Sequence, residues 1–268
     1  MGIFLTIKNI FKIHPFYYVF AFISSITGNF KSFMIFTFII FIHELGHLSM
    51  ALILKWKVDK VLILPFGGVT LFNEDLNRPL FEEFLILICG PLFQLVFTYF
   101  FRSNSILVNY SIVLLIFNML PIFPLDGSKF LNIFLNLFLS FKTSHILTLY
   151  FSFVFIFFVT IKYEFNLFLC MILGFIFFKV LDEFLNHGNI FNRFLLERYI
   201  KHFRFKKYKY IKSFDLRKMR RDCKHIFFSE GKCFTERDLL KKGLTLRVNR
   251  GKIFRCVELP LQPHGKGL

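Results

Sequence analysis

The sequence predicts an α-helical polytopic membrane protein with about six transmembrane helices, a β-hairpin at the membrane edge and a small cytosolic C-terminal domain. Three observations predict it. Of 268 residues, 55% are hydrophobic and 44 are Phe, more apolar surface than a soluble domain of this length can bury. Apolar runs near the ~20 residues needed to cross a bilayer recur along the first two thirds of the chain. The net charge of +17 gathers at one end, where residues 181–268 hold 22 Lys and Arg against 9 Asp and Glu.

The expected spans are Phe16–Thr27, Phe33–Leu54, Leu80–Phe101, Ile106–Phe123, Ile146–Ile161 and Phe165–Val180. Lys8 and Lys12 precede the first, and no small-residue cleavage site follows it, so it reads as a retained span and not a signal peptide. Six crossings put both termini on one side. Lys55, Lys57, Lys60, Arg78, Lys129 and Lys142 then share the side of the basic tail, against Lys31, Arg102 and Lys162 on the other. The positive-inside rule makes the tail's side cytosolic.

Between the second and third spans, Lys60–Phe72 is apolar but broken by Pro65, Gly67 and Gly68, which reads as two short strands around a turn. Its backbone must be covered by protein or line a wet cavity, because lipid offers no hydrogen bonds. Residues 1–180 thus form the membrane part. Residues 181–268, basic and laced with aromatics, read as a cytosolic domain that contacts anionic lipid, since such a segment beside a span is drawn to a negative surface and not to nucleic acid. Five scattered cysteines imply no disulfide framework.

The second span contains His43-Glu44-Leu45-Gly46-His47. Residues i and i+4 share a helix face, so both imidazoles can hold one Zn²⁺ while the Glu acts on a water beside it. Ionisable residues at membrane depth are costly, and three within five positions have no packing rationale. With Lys55 the first charge beyond the motif, a rise of ~1.5 Å per residue puts the site about 12 Å below the cytosolic boundary. A catalytic zinc takes a third protein ligand and keeps an open position. Asp126, the one acidic residue between Glu83 and Glu164, follows a helix broken by Pro121 and Pro124 and can supply it; its alternative role is to cap a helix starting near Ser128. Asn118, near the same break, can hydrogen-bond substrate or satisfy freed backbone groups.

HELGH on one span with a downstream Asn118-x-x-Pro121-x-x-Pro124-Leu-Asp126-Gly127 resembles the site-2 protease family of intramembrane zinc metalloproteases. Lys12-Ile-His-Pro15, Leu64-Pro-Phe-Gly-Gly68, Asn77-Arg-Pro-Leu80, Gly90-Pro91 and Arg193-Phe-Leu-Leu-Glu-Arg-Tyr199 place the likeness nearer its sporulation branch. The resemblance implies zinc ligation by His43, His47 and Asp126, general-base duty for Glu44, substrate gating by Phe66, Gly67 and Gly68, and Asn118 and Pro121 beside the site. It also implies a membrane-associated substrate, pro-sigma-K, membrane-bound inhibitory regulators, and residence in the mother-cell membrane around the forespore. In that branch the tail is a cystathionine-β-synthase-type domain that senses nucleotide. Here the tail is short and shows no evident nucleotide-contacting pattern, which leaves ATP the weakest of the expected partners. Two other readings compete: a general protease of the family that clears signal-peptide remnants or cuts anti-sigma factors, and a zinc-binding transporter. Transport is disfavoured by one compact site in place of a series across the spans.

Overall fold

The computed structural model describes residues 11–241 apart from 65–66, 163–166, 202, 204, 206 and 230–231. A short strand β1 (Phe11–Ile13) leads into helices α1 (Pro15–Ile26) and α2 (Phe30–Ile53), strands β2 (Val58–Leu64) and β3 (Gly67–Phe72), then α3 (Leu80–Phe100), α4 (Ser105–Asn118), α5 (Asp126–Phe138), α6 (Phe141–Lys162) and α7 (Leu167–Ile200). Strands β4 (Tyr208–Ile211), β5 (Lys224–Ser229) and β6 (Lys232–Thr235) follow.

Local sequence explains the helix ends. Pro15 opens α1, where its fixed φ costs nothing, and His14 Nδ1 accepts from Phe16 N at 3.2 Å. Pro79 precedes α3, whose first turn holds Glu82 and Glu83 at the positive end of the helix dipole. Asn104 caps α4 by accepting from Leu107 N at 3.2 Å. Helices α2, α3 and α6 are long and apolar enough to cross a membrane; α1 and α4 are apolar but shorter, at 12 and 14 residues.

Three expectations about element ends need correction. The fourth apolar run does not continue as helix to Phe123: α4 stops at Asn118, because Pro121 and Pro124 cannot extend the ladder and Pro121 disfavours helical backbone at Leu120. The helix expected near Ser128, α5, starts at Asp126 itself, so Leu125 and not Asp126 takes the cap position. The last run does not end at Val180. With no proline between Leu167 and Ile200, α7 continues for 34 residues, about 51 Å at 1.5 Å per residue, and the change from apolar to basic composition falls inside it.

Packing inverts that of a soluble protein. Phe22, Ile26, Ile53, Phe100, Phe157 and Phe178 are among the large apolar side chains turned outward, while Ser144, Thr148 and Ser152 of α6 are buried. A core of Leu64, Ile122, Leu125, Leu149, Ile156, Ile176 and Val180 ties β2, the segment after α4, α6 and α7 together. In the first sheet β2 is central, parallel to β1 and antiparallel to β3, with Val61 opposite Thr70 and Leu64 opposite Gly67. β3 is therefore an edge.

The second sheet, also three-stranded, packs on the far half of α7 through Phe141, Phe191, Phe194, Met219 and Phe227. Arg198 of α7 is buried at this joint. Its Nε donates to Asn77 Oδ1 at 2.6 Å, and its two terminal nitrogens donate to the Cys223 and Arg220 carbonyls and to Glu236 Oε1 at 3.0 Å. His225 Nδ1 meets the same carboxylate at 3.2 Å. Burial pushes the His225 pKa down. Burial would raise that of Glu236, but the His225 hydrogen bond and the Arg198 charge outweigh it and hold the carboxyl below its ordinary value. Arg198→Met should therefore cost about 3–5 kcal/mol by stranding a buried carboxylate. Thermal unfolding in detergent checks this: the single variant should melt well below Arg198→Met with Glu236→Gln, and equal midpoints would show that the pair carries no such strain.

Candidate metal centre

His43, Glu44 and His47 lie on the inward face of α2, buried to 1%, 3% and 4% exposure. Two glycines let α3 approach that face. A Cβ at Gly46 would strike the backbone of Cys89 and Gly90, and a Cβ at Gly90 would enter the imidazole ring of His47. The close crossing delivers two partners from α3. Gln94, wholly buried, donates through Nε2 to the Ser111 carbonyl at 2.7 Å and its hydroxyl at 3.0 Å, so its Oε1 is left to accept from His43 Nδ1 at 2.8 Å. The Ile86 carbonyl can only accept, which makes His47 Nδ1 the donor at 2.8 Å. Pro91 has no N–H to give the neighbouring turn of α3.

With both Nδ1 atoms donating, the Nε2 of each ring is the atom turned toward the other ring and toward Asp126. His43 Nε2 and His47 Nε2 are each 2.9 Å from Asp126 Oδ2 and 3.1 Å from one another. Three potential ligand atoms thus converge on one point, an arrangement that a cation satisfies. Zinc bonded at ~2.0–2.1 Å spaces tetrahedral ligands about 3.3–3.4 Å apart, so a few tenths of an ångström of relaxation would admit it. The donor set of two imidazoles and a carboxylate, each His held by a second hydrogen bond, is one that zinc takes. His43, Glu44 and His47 also offer ligand atoms that all lie within 4.8 Å of one another.

Glu44 sits under the edge strand. Thr70 Oγ1 donates to its Oε2 at 2.7 Å, and a Cβ at Gly68 would land on its side chain. A Cβ at Gly67 would lie 3.3 Å from Oδ1 of buried Asn118, so the end of α4 abuts β3. Pro121 is directed elsewhere, its carbonyl accepting from Ser152 of α6 at 3.4 Å. Phe66, with Pro65, falls outside the described residues. A cavity of about 290 Å³ reaches from His47 and Thr70 past Lys129 to Glu83 and Arg221.

Gln94, Ser111, Thr70 and Lys129 complete this arrangement and were not singled out from the sequence. Gln94 left a readable signal: it is a lone amide in an apolar run, one turn after Gly90 on the same helix face. Thr70 and Lys129 left none, being ordinary at a strand edge and in the first turn of a helix.

The sequence model of Peptidase family M50 matches residues 31–104, from α2 through α3. The chain is 33% identical over 202 residues to stage IV sporulation protein FB of Bacillus subtilis, spanning 70% of each protein. It is 34% identical over 109 residues to a zinc metalloprotease of Methanocaldococcus jannaschii, 35% of this chain and 31% of that one. Its fold matches the site-2 protease of the same archaeon with a TM-score of 0.51 at 22% identity, over 65% of this chain and 89% of the other.

Proposed function

Because this chain belongs to the M50 peptidases, the site-2 protease family, it is a zinc metalloprotease of the membrane, and we propose that it removes the membrane-tethering pro-sequence of a sporulation sigma factor, pro-sigma-K. The observation that carries the reading is the convergence of His43, His47 and Asp126 beside Glu44 beneath the edge strand β3.

We assign His43, His47 and Asp126 as the zinc ligands. When bound there, zinc lowers the pKa of water toward ~7 and polarises the scissile carbonyl. Glu44 accepts the proton of the attacking water and returns it to the amide nitrogen as the C–N bond breaks. Thr70 keeps the Glu44 carboxylate aimed while this happens. Attack needs an extended backbone, and the edge of β3 at Gly67–Thr70, which pairs with no further strand among the described residues, is where a substrate strand would add. The Asn118 amide, against Gly67, then reaches the substrate backbone, and Phe66, next to Gly67 in the sequence, would gate entry.

Six crossings of the bilayer, with the hairpin at its edge, would leave both termini cytosolic and the basic C-terminal residues against the anionic leaflet. The sporulation assignment rests on likeness to the Bacillus subtilis protein and puts the enzyme in the mother-cell membrane around the forespore. Co-expression with a pro-sigma-K precursor tests it. A shortened product should appear with the wild-type chain and vanish with Glu44→Gln. An intact precursor beside cleaved signal-peptide remnants or a cleaved anti-sigma factor would move the assignment to a general protease of the family.

A further inference from the structure

The geometry points to Lys129 as a positioning residue that keeps Asp126 a one-oxygen metal ligand and so holds the fourth coordination position open. This rests on the assignment of His43, His47 and Asp126 as ligands. The two oxygens of the Asp126 carboxylate are unequally engaged: Oδ2 is 2.9 Å from both imidazole nitrogens, while Oδ1 accepts from Lys129 Nζ at 3.1 Å. The pair is built into the first turn of α5, three residues apart, with the Asp126 side chain 8% exposed and that of Lys129 29%. Lys129 also lines the cavity that passes His47 and Thr70, so the residue that holds the outer carboxylate oxygen borders the open space beside the site.

A carboxylate with both oxygens free can bind zinc through both. With two histidines that would give four protein bonds and close the position a catalytic metal needs. An ammonium on Oδ1 prevents it in two ways, by occupying the lone pair that would turn inward and by repelling a dication on that side. Lys129 therefore trades metal affinity for an accessible site, the reverse of a group that merely braces a ligand. Outer partners of metal ligands change affinity or activity by about 10–100-fold when removed.

The test uses the full chain in detergent, loaded with Co²⁺ or Zn²⁺, as wild type, Lys129→Met, Lys129→Arg and Asp126→Ala. Lys129→Met should hold metal at least as tightly as wild type. Its Co²⁺ ligand-field bands should shift as the second carboxylate oxygen takes the place of the solvent ligand, and the further spectral change that added azide produces in the wild type by entering the open position should be lost. Cleavage of a reconstituted single-span substrate should fall about 10–100-fold in kcat with little change in KM. Lys129→Arg should restore spectrum and turnover. An unchanged spectrum in Lys129→Met, or metal loss as deep as in Asp126→Ala, would overturn the inference. Full metal and an unaltered spectrum in Asp126→Ala would instead sink the ligand assignment beneath it.

Discussion

Glu44→Gln should retain its zinc and lose at least the ~10²–10⁴-fold of rate that a positioned general acid–base supplies. The substitution isolates one property. Gln fills the same volume beneath Gly68, and its amide oxygen can still accept from Thr70, so β3 should stay seated over the site. What disappears is basicity, since an amide cannot take a proton from water near neutral pH. Metal analysis and cleavage must be measured on the same preparation. A variant with full zinc and wild-type turnover would place the base elsewhere, whereas one that had lost its zinc would be uninformative about proton transfer and would instead make Glu44 part of the metal's support.

Asp126→Ala should empty the site. Removing it leaves two imidazoles turned toward each other with no anion between them, and a dication in a buried, low-dielectric pocket depends on that charge. Metal per chain should drop from about one to near zero after dialysis, affinity should fall by more than the ~10–100-fold typical of a lost outer partner, and cleavage should vanish with it. Elemental analysis decides the matter. Metal content equal to wild type would remove Asp126 from the ligand set and leave it the first residue of α5, a helix dipole partner and nothing more.

The ends of this centre were legible in the sequence and its middle was not. His43, Glu44, His47 and Asp126 stand out because charge is scarce at membrane depth, so each ionisable residue calls for a chemical reason. Thr70 and Gln94 reach Glu44 and His43 from 26 and 51 residues away, and no local period encodes such contacts. They depend on the crossing at Gly46 and Gly90, where the informative feature is the absence of a side chain. Spans α2, α3 and α6 were readable from length and apolarity alone. The overrun of α7 was not, because composition reports what a helix faces and not where its hydrogen-bond ladder stops. Nor was β1, three residues whose place is fixed by pairing Phe11 with Val61 across fifty positions.

That overrun has a mechanical meaning. A loop at Val180 would have been a swivel; a helix is a girder. Along its far half Arg193 holds the Glu74 carbonyl, Glu197 takes Leu76 N and the Asn77 amide and Arg198 takes the Asn77 oxygen, while Lys201 just past its end grips Asp75. These are consecutive rungs on the stretch that leaves β3 and enters α3, the two elements that roof Glu44 and brace both histidines. Leu80 N, at the threshold of α3, is fastened in turn to Asp222 Oδ2 at 3.0 Å. The roof of the chemical chamber is thus bolted by the far half of α7, and severing the chain at its change of composition would cut the girder and leave that roof without its fastenings.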